Sequence, residues 1–256
     1  MANTSSCRTR QNGTGCSRLH PMTPADILFQ NDHFVAINKP NGLLVHRSSI
    51  ATEAEEFALQ QTSKLVGKKL YPVHRLDRPT SGVLLFACHS TAARELHAAL
   101  AGEETRKQYV ALVRGWMIDD VDLDYPVFTE KRKKVEARTQ FVATRYFILN
   151  KPVGPYPSAR FTEVEAILHS GRWHQIRQHL GHLRHYIIND RVHGCRHNNR
   201  LFAEELNINP LFLHAERILF NTDVLGAPPV IEAPRPIHWQ QFIHVSEELP
   251  RSVVIG

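Results

Sequence analysis

The 256-residue chain contains no apolar run near the roughly 20 residues that span a bilayer, so no membrane helix is expected. Glycine is scarce, at 13 residues, and none fall into the G-x-G-x-x-G or G-x-x-x-x-G-K spacing. Neither a dinucleotide turn nor a P-loop is therefore written into the chain. The four cysteines, Cys7, Cys16, Cys88 and Cys195, match neither a zinc ribbon nor a disulfide framework. A reduced, cytoplasmic protein is expected from this, with Cys88 as a small hydrophobe continuing an apolar strand. No H-E-x-x-H motif, internal repeat or heptad run is present.

Acidic residues are the smaller charged class, 25 against 31 Lys and Arg, for a formal charge of +6. Such an excess suits a phosphate-bearing partner, and it equally suits a merely basic enzyme. Residues 1–21 hold three arginines and no acid among Ser, Thr, Asn and Gly, and they lack the apolar core of a secretory signal. They are expected to be a disordered extension: a genuine tail, a transit peptide or an upstream start preceding Met22. Residues 22–256 then form one catalytic domain.

The hydrophobic periodicity predicts two strands between Ile27 and Val45 and an amphipathic helix over Ser48–Lys68, with Ala54, Phe57, Ala58 and Leu65 on its apolar face. Ser90 or Thr91 should cap a helix through Leu100. Lys107–Trp116 alternates as a strand, and "EKRKK" (Glu130–Lys134) is a cationic loop leading to a strand near Ala137. "RFTEVEAIL" alternates again, "WHQIRQHLGHL" is a short helix, and "LFLHAERILF" is a late strand. Strands outnumber helices without regular alternation, which predicts an α+β fold with a mostly antiparallel sheet.

One stretch concentrates chemistry. "HRLDRPTSGVLLFA" (His74–Ala87) sets two arginines, a carboxylate and two hydroxyls in a turn that feeds a buried apolar strand. Four further blocks keep it company in the same order: "INKPNGLLVH" (Ile37–His46), "KQYVALVRG" (Lys107–Gly115), "SGRWHQIRQHL" (Ser170–Leu180) and "LFLHAERILF" (Leu211–Phe220). In these blocks, spread over about residues 27–236, the chain resembles the pseudouridine synthases of the RluA type.

That resemblance implies a mixed, mostly antiparallel sheet in two halves around a central catalytic cleft, flanked by helices and loops. It implies no appended small RNA-binding domain, no cofactor and no metal. The subgroup it points to isomerises uridine 65 in the T-stem of certain tRNAs. A monomer with tRNA as partner and no membrane attachment is expected. The chain departs from relatives at Tyr186, where they favour proline, and at Asn189, where they favour glycine. "NTDVLG" also replaces a His-Pro pair after Phe220.

Pseudouridine formation breaks the bond from ribose to a ring nitrogen, turns the base and rejoins it through carbon. It needs a carboxylate kept charged inside a dry pocket. Asp77 is the candidate, and attack on the anomeric carbon, attack on the ring and removal of a ribose proton are all open to it. Burial alone neutralises a carboxylate, so a fixed cation must sit beside it. The resemblance pairs it with Arg177, a residue type that keeps its charge when buried and binds carboxylates through a rigid fork. It also implies Tyr109 as stacking partner and base for the carbon-5 proton, Arg75 at the vacated stack, and Leu213 as an apolar wall. His74 is expected to hydrogen-bond backbone, Thr80 and Ser81 to brace the loop, Gly82 to permit close backbone approach, and Gly171 to turn the chain before the helix. Arg172 is a candidate RNA contact, and Lys39 is either structural or a second such contact.

Rival readings remain. His174, His179, His182 and His185 invite a metal site, although no glutamate lies between them and the next carboxylate is Asp190. The alternative for them is a polar helix face near phosphate. A ribosomal-RNA synthase of the same superfamily and a non-catalytic RNA-binding protein on the same fold also stay open.

Overall fold

The computed structural model describes residues 21–46, 57–102 and 104–255. The 1–21 extension, but for its last residue, and the first half of the predicted Ser48–Lys68 helix lie outside these residues. The first half of the chain provides β1 (Ile27–Gln30), β2 (Phe34–Lys39), α1 (Ala58–Val66), β3 (Tyr71–Pro72), β4 (Ser81–Ala87), α2 (Ser90–Ala101) and β5 (Thr105–Arg114). The middle adds β6 (Val121–Asp124), β7 (Val127–Phe128), β8 (Lys134–Val135), β9 (Arg138–Leu149), β10 (Ala159–Leu168) and α3 (Gln175–His182). The remainder provides α4 (Arg196–Glu205), β11 (Leu213–Phe220), β12 (Val230–Glu232), α5 (Ile237–Val245), β13 (Glu247–Leu249) and α6 (Arg251–Ile255).

One 11-stranded sheet runs β1-β2-β4-β11-β5-β10-β9-β13, with β3, β6 and β12 paired at its sides. Every pair in it is antiparallel except β4 with β11. This is the expected α+β architecture, and the two halves meet at the β4-β11-β5 seam. On one side, β5, β9 and β10 pack with α3, α4 and α5 around Leu112, Phe161, Leu180, Phe202 and Trp239. On the other, β2 and β4 are buried on both faces. Phe34, Leu85 and Leu96 of α2 fill one face, and Val35, Leu84 and Phe86 fill the other with α1. A central strand covered on both sides needs a continuous apolar run, which is what Val83–Ala87 supplies.

At the seam, Gly82 adopts φ +111°, and a Cβ there would lie 2.2 Å from the Ala215 carbonyl oxygen. Only glycine lets the parallel pair Gly82–Ala215 close. The expected strands and the α3 helix are present, and no described helix is long and apolar enough to cross a membrane. One local expectation needs correction. The cap of α2 is His89, whose Nδ1 accepts the Ala92 N–H at 3.2 Å, rather than Ser90 or Thr91. The cationic loop is present as expected and connects a two-stranded hairpin, β7–β8.

Candidate active site

The His74–Thr80 segment crosses the seam just before β4. His74 Nε2 accepts the Leu85 N–H at 3.0 Å, and burial pushes its pKa down to about 4, so it serves as a neutral brace. Asp77-Arg78-Pro79-Thr80 closes a turn through Thr80 N–H to the Asp77 carbonyl, 3.0 Å. The N-K-P-N-G block clamps this turn from behind. Gly42 N–H donates to the Arg78 carbonyl (2.8 Å), Arg78 Nε donates to the Gly42 carbonyl (2.9 Å), and Asn41 Nδ2 donates to the Pro79 carbonyl (2.6 Å). Lys39 belongs to this clamp. It is fully buried, and its Nζ donates to the carbonyls of Pro40, Leu43 and Arg78 at 2.8, 2.9 and 3.2 Å. Placing Lys39 at the RNA surface is therefore incorrect: two of its donors are spent within its own block, on Pro40 and Leu43, and the third ties that block to the Arg78 carbonyl beside Asp77.

Opposite stands α3. Arg177 Nη1 donates to Asp77 Oδ2 at 3.0 Å, joining residues 100 positions apart in sequence. The same guanidinium is held from its other edge by Asp190, Nε to Oδ2 at 2.7 Å and Nη2 to Oδ1 at 2.8 Å. Exposure is graded along this chain of charges: the side chains are 1% exposed at Asp190, 3% at Arg177 and 17% at Asp77. Burial would raise the Asp190 carboxyl. The hydrogen bonds and charge of Arg177, with the N–H groups of His193 and Val192, instead hold it below the ordinary value. The 189–193 turn also supports the second neighbour of Asp77. His174 Nε2 lies 3.5 Å from Asp77 Oδ2, and its Nδ1 lies 3.0 Å from His193 Nε2. Burial pushes His174 down to about 4, and a neutral ring with its proton on Nε2 satisfies both contacts.

These walls enclose a cleft of about 300 Å³. Arg75, Asp77, Tyr109, Arg172, Arg177 and Leu213 all line it, as do Thr80, Gly171, Trp173 and His174. Leu213 is buried and Tyr109 half-buried, while Arg75 and Arg172 are exposed at the mouth. Burial, then the Asp77 charge, push the Tyr109 hydroxyl above the ordinary phenol value. At neutral pH it is a hydrogen-bond donor and a stacking face. Acting as a base at carbon 5 requires the phenolate, which this setting disfavours. Thr80 Oγ1 is buried without a partner on the cleft wall, whereas Ser81 Oγ is spent on His214 Nδ1 at 2.9 Å.

Sequence reasoning missed Asp190 and His193 as supports, and Trp173 on the wall. The "ND" of "HYIINDRVHG" was the available signal. Asn189 takes φ +63°, a conformation that asparagine tolerates best after glycine, and that turn aims Asp190 at Arg177. The cationic hairpin does not line the cleft; it packs beside α3 through Phe128 and Gln178. The helix histidines are engaged separately. His179 bonds Thr139 Oγ1 and the Tyr125 carbonyl, His182 stacks on Tyr125, and His185 bonds the Arg114 carbonyl. No group of three or more metal-ligating side chains is gathered among the described residues.

A sequence model of a family described as RNA pseudouridylate synthase matches residues 33–182. The chain is 39% identical over 228 residues to "tRNA pseudouridine synthase C" of Vibrio vulnificus, covering 85% of this chain and 93% of that protein. It is also 39% identical to the protein of the same name from Salmonella typhi, covering 85% and 88%. Among solved structures, human RNA Pseudouridylate Synthase Domain Containing 4 superposes with a TM-score of 0.65 at 22% identity, covering 88% of this chain and 95% of that one. Human RNA Pseudouridylate Synthase Domain Containing 1 gives 0.62 at 20% identity, covering 82% of each.

Proposed function

The chain belongs to the RNA pseudouridylate synthase family, an isomerase family, and from that premise we propose that it converts uridine 65 in the T-stem of certain tRNAs to pseudouridine with Asp77 as catalytic carboxylate. The observation that carries this reading is the 3.0 Å contact between Asp77 and a buried Arg177 inside a cleft sized for a single nucleotide rather than a duplex. A base must therefore leave its stack to react. Flipping costs a few kcal/mol, and a cation at the mouth offsets part of it. Arg75 is placed for that task. Tyr109 and Leu213 then bracket the uracil as stacking face and apolar wall.

The isomerisation is balanced without any added reagent. The C1′–N1 bond breaks, the ring turns, C1′–C5 forms, C5 loses its proton and N1 gains one. Asp77 is the group that meets the ribose or ring, and Arg177 keeps its negative charge in place as the site dries around the base. Arg172 and Arg75 meet backbone phosphates. The test is pseudouridine mapping on RNA from cells lacking the gene, complemented with wild type or Asp77→Ala. Loss of a single T-stem pseudouridine in tRNA, restored by wild type only, is the expected result. Restoration by Asp77→Ala would sink the catalytic role, and a missing ribosomal site would redirect the substrate.

A further inference from the structure

A second concavity of about 350 Å³ lies beside the cleft, between α3 and the β7–β8 hairpin. Its lining carries no carboxylate. It is instead aromatic, and the aromatic rings face solvent: Tyr125 is 41% exposed and Phe128 46%. Tyr125 stacks on His182 with centroids 3.9 Å apart, which fixes a flat platform. A cation tops each end of the groove. Lys134 Nζ stands 5.6 Å from the Phe128 ring centre, and the Arg114 guanidinium stands 5.5 Å from that of Tyr186. Lys131, Arg132 and Lys133 crowd the hairpin tip beside it. The hairpin is not loosely hung, because Phe128 N–H donates to Gln178 Oε1 and Gln178 Nε2 donates to the Phe128 carbonyl, both at 2.9 Å.

The groove also adjoins the cleft. His193 lines the groove, His174 lines the cleft, and their rings touch at 3.0 Å. Trp173 stacks on His174 at 3.8 Å from the cleft side. The cleft and the groove thus meet at the start of α3, through the edge-on contact of His174 with His193.

From this geometry we infer that the Tyr125–Phe128 groove is a second nucleotide subsite, which receives an RNA base neighbouring the nucleotide held at Asp77 once that base leaves its stack. One face of each ring is covered, Phe128 by Lys134 and Tyr125 by His182; the exposed remainder is costly to leave in water and binds any base through its π-face, while the cations take the phosphates. A protein partner would leave the Lys131–Lys134 run without counter-charges, whereas an RNA strand supplies one per nucleotide. The inference rests on the reading of the chain as an enzyme of RNA, not on which uridine it modifies.

The test is fluorescence-anisotropy titration of the full chain with two RNAs, a tRNA T-arm stem-loop and a single-stranded oligonucleotide, for wild type and the Tyr125→Ala/Phe128→Ala double variant. Both rings are exposed, so folding is retained, and circular dichroism checks it. About a tenfold or greater weakening is expected for each RNA, the scale of one lost base–aromatic stack. The second arm removes one flanking base at a time, leaving abasic sugars. One abasic position should weaken wild type as much as the double variant and weaken the double variant no further. Equal affinities of wild type and variant overturn the subsite. So does an abasic scan whose losses simply add to those of the variant. Failure of the uridine 65 reading is seen separately, as absence of pseudouridine at that position, and leaves these titrations interpretable.

Discussion

Two clusters in this molecule use arginine to hold two carboxylates at once, and they end differently. In the first, Arg235 donates to Glu216 at 2.7 Å and to Glu163 at 2.9 Å. Arg145 donates to Glu248 at 3.0 and 2.6 Å and lies 3.6 Å from Glu163. Glu163 is 4% exposed, and its second oxygen meets Thr144 Oγ1 at 3.4 Å, so the network closes on itself. In the second, Arg177 holds Asp190 by two bonds and Asp77 by one. Both Asp77 contacts, from Arg177 and His174, fall on Oδ2. Among the described residues no hydrogen bond reaches Oδ1. The chain of charges therefore ends on an oxygen that faces the cleft. The first cluster satisfies its charges internally, whereas Asp77 keeps one oxygen free of hydrogen bonds among the described residues, and the proposed catalytic role draws on that oxygen.

The strongest way to break that contrast is Asp77→Asn. It removes the charge from the open end and keeps the shape, so turnover should fall by at least about a thousandfold while RNA affinity and melting temperature stay near wild type. Single-turnover conversion with the T-arm RNA reads this, and a near-normal rate would make Asp77 an ordinary ion-pair residue. Arg177→Ala should cost activity and stability together. It leaves Asp190 buried without its partner, a loss of about 3–5 kcal/mol in a urea melt. Arg177→Lys sharpens the point: it keeps the charge but cannot fork between two carboxylates, so activity should remain far below wild type in a folded protein. A fully active lysine variant would mean that the shared guanidinium is not needed.

Asp190→Asn and Glu163→Gln form the matched pair. Each neutralises one carboxylate beside an arginine. Asp190 does not itself line the cleft, yet it aims Arg177, which does. Its loss should lower kcat by about ten- to a hundredfold, the scale of a misplaced catalytic group, with little change in KM, and Asp190→Glu should recover part of it. Glu163→Gln should instead cost about 1–3 kcal/mol in a urea melt, because Arg235 and Arg145 each keep another carboxylate, and kcat should not move. Reversal of the two outcomes would undo the distinction between the clusters.

The open cluster was the more readable of the two from sequence. "HRLD" and "HQIR" are contiguous motifs, and each places its charge by a local rule, a Pro-containing turn before a core strand and a helix facing it. Tyr109 and Leu213 follow because strand register carries them to the same cleft, and Arg75 because it lies two residues before Asp77 on the same loop. Lys39 misled because a lysine in a glycine-proline turn reads as exposed, and only the tertiary fold shows three carbonyls converging on its ammonium. The closed cluster has no motif. Glu163, Arg145, Glu216 and Arg235 come from four separate segments, and nothing local marks them as partners. Helices α4 and α5 were missed for a similar reason. "RHNNRLFAEE" offers only Leu201 and Phe202 as buried apolar residues, so tertiary packing on Phe161 and Phe212 decides its structure rather than periodicity.

The smallest expected effect concerns pH, and it again separates the two regions. His214 and His238 lie near the closed cluster, and burial pushes each down to about 4. His214 is already committed to Ser81 and the Ala233 carbonyl, and His238 Nε2 is buried with no partner, so a second proton there finds no acceptor. Unfolded, both titrate near 6.5. Between about pH 6.5 and 4 the unfolded chain takes up protons that the folded chain refuses, so stability must fall as the pH falls through that window. The slope is at most about 1.4 kcal/mol per pH unit for each histidine. Urea melts at several pH values across the window read it, and His238→Phe, packed on Phe212 in its place, should flatten the slope by about one proton's share. Asp77→Asn should leave the share of His214 and His238 in that slope untouched, since the Asp77 charge acts on neither ring. A histidine variant with an unchanged slope would move the pH sensitivity of the fold to the cleft side, where His74 and His174 are the other imidazoles held near 4.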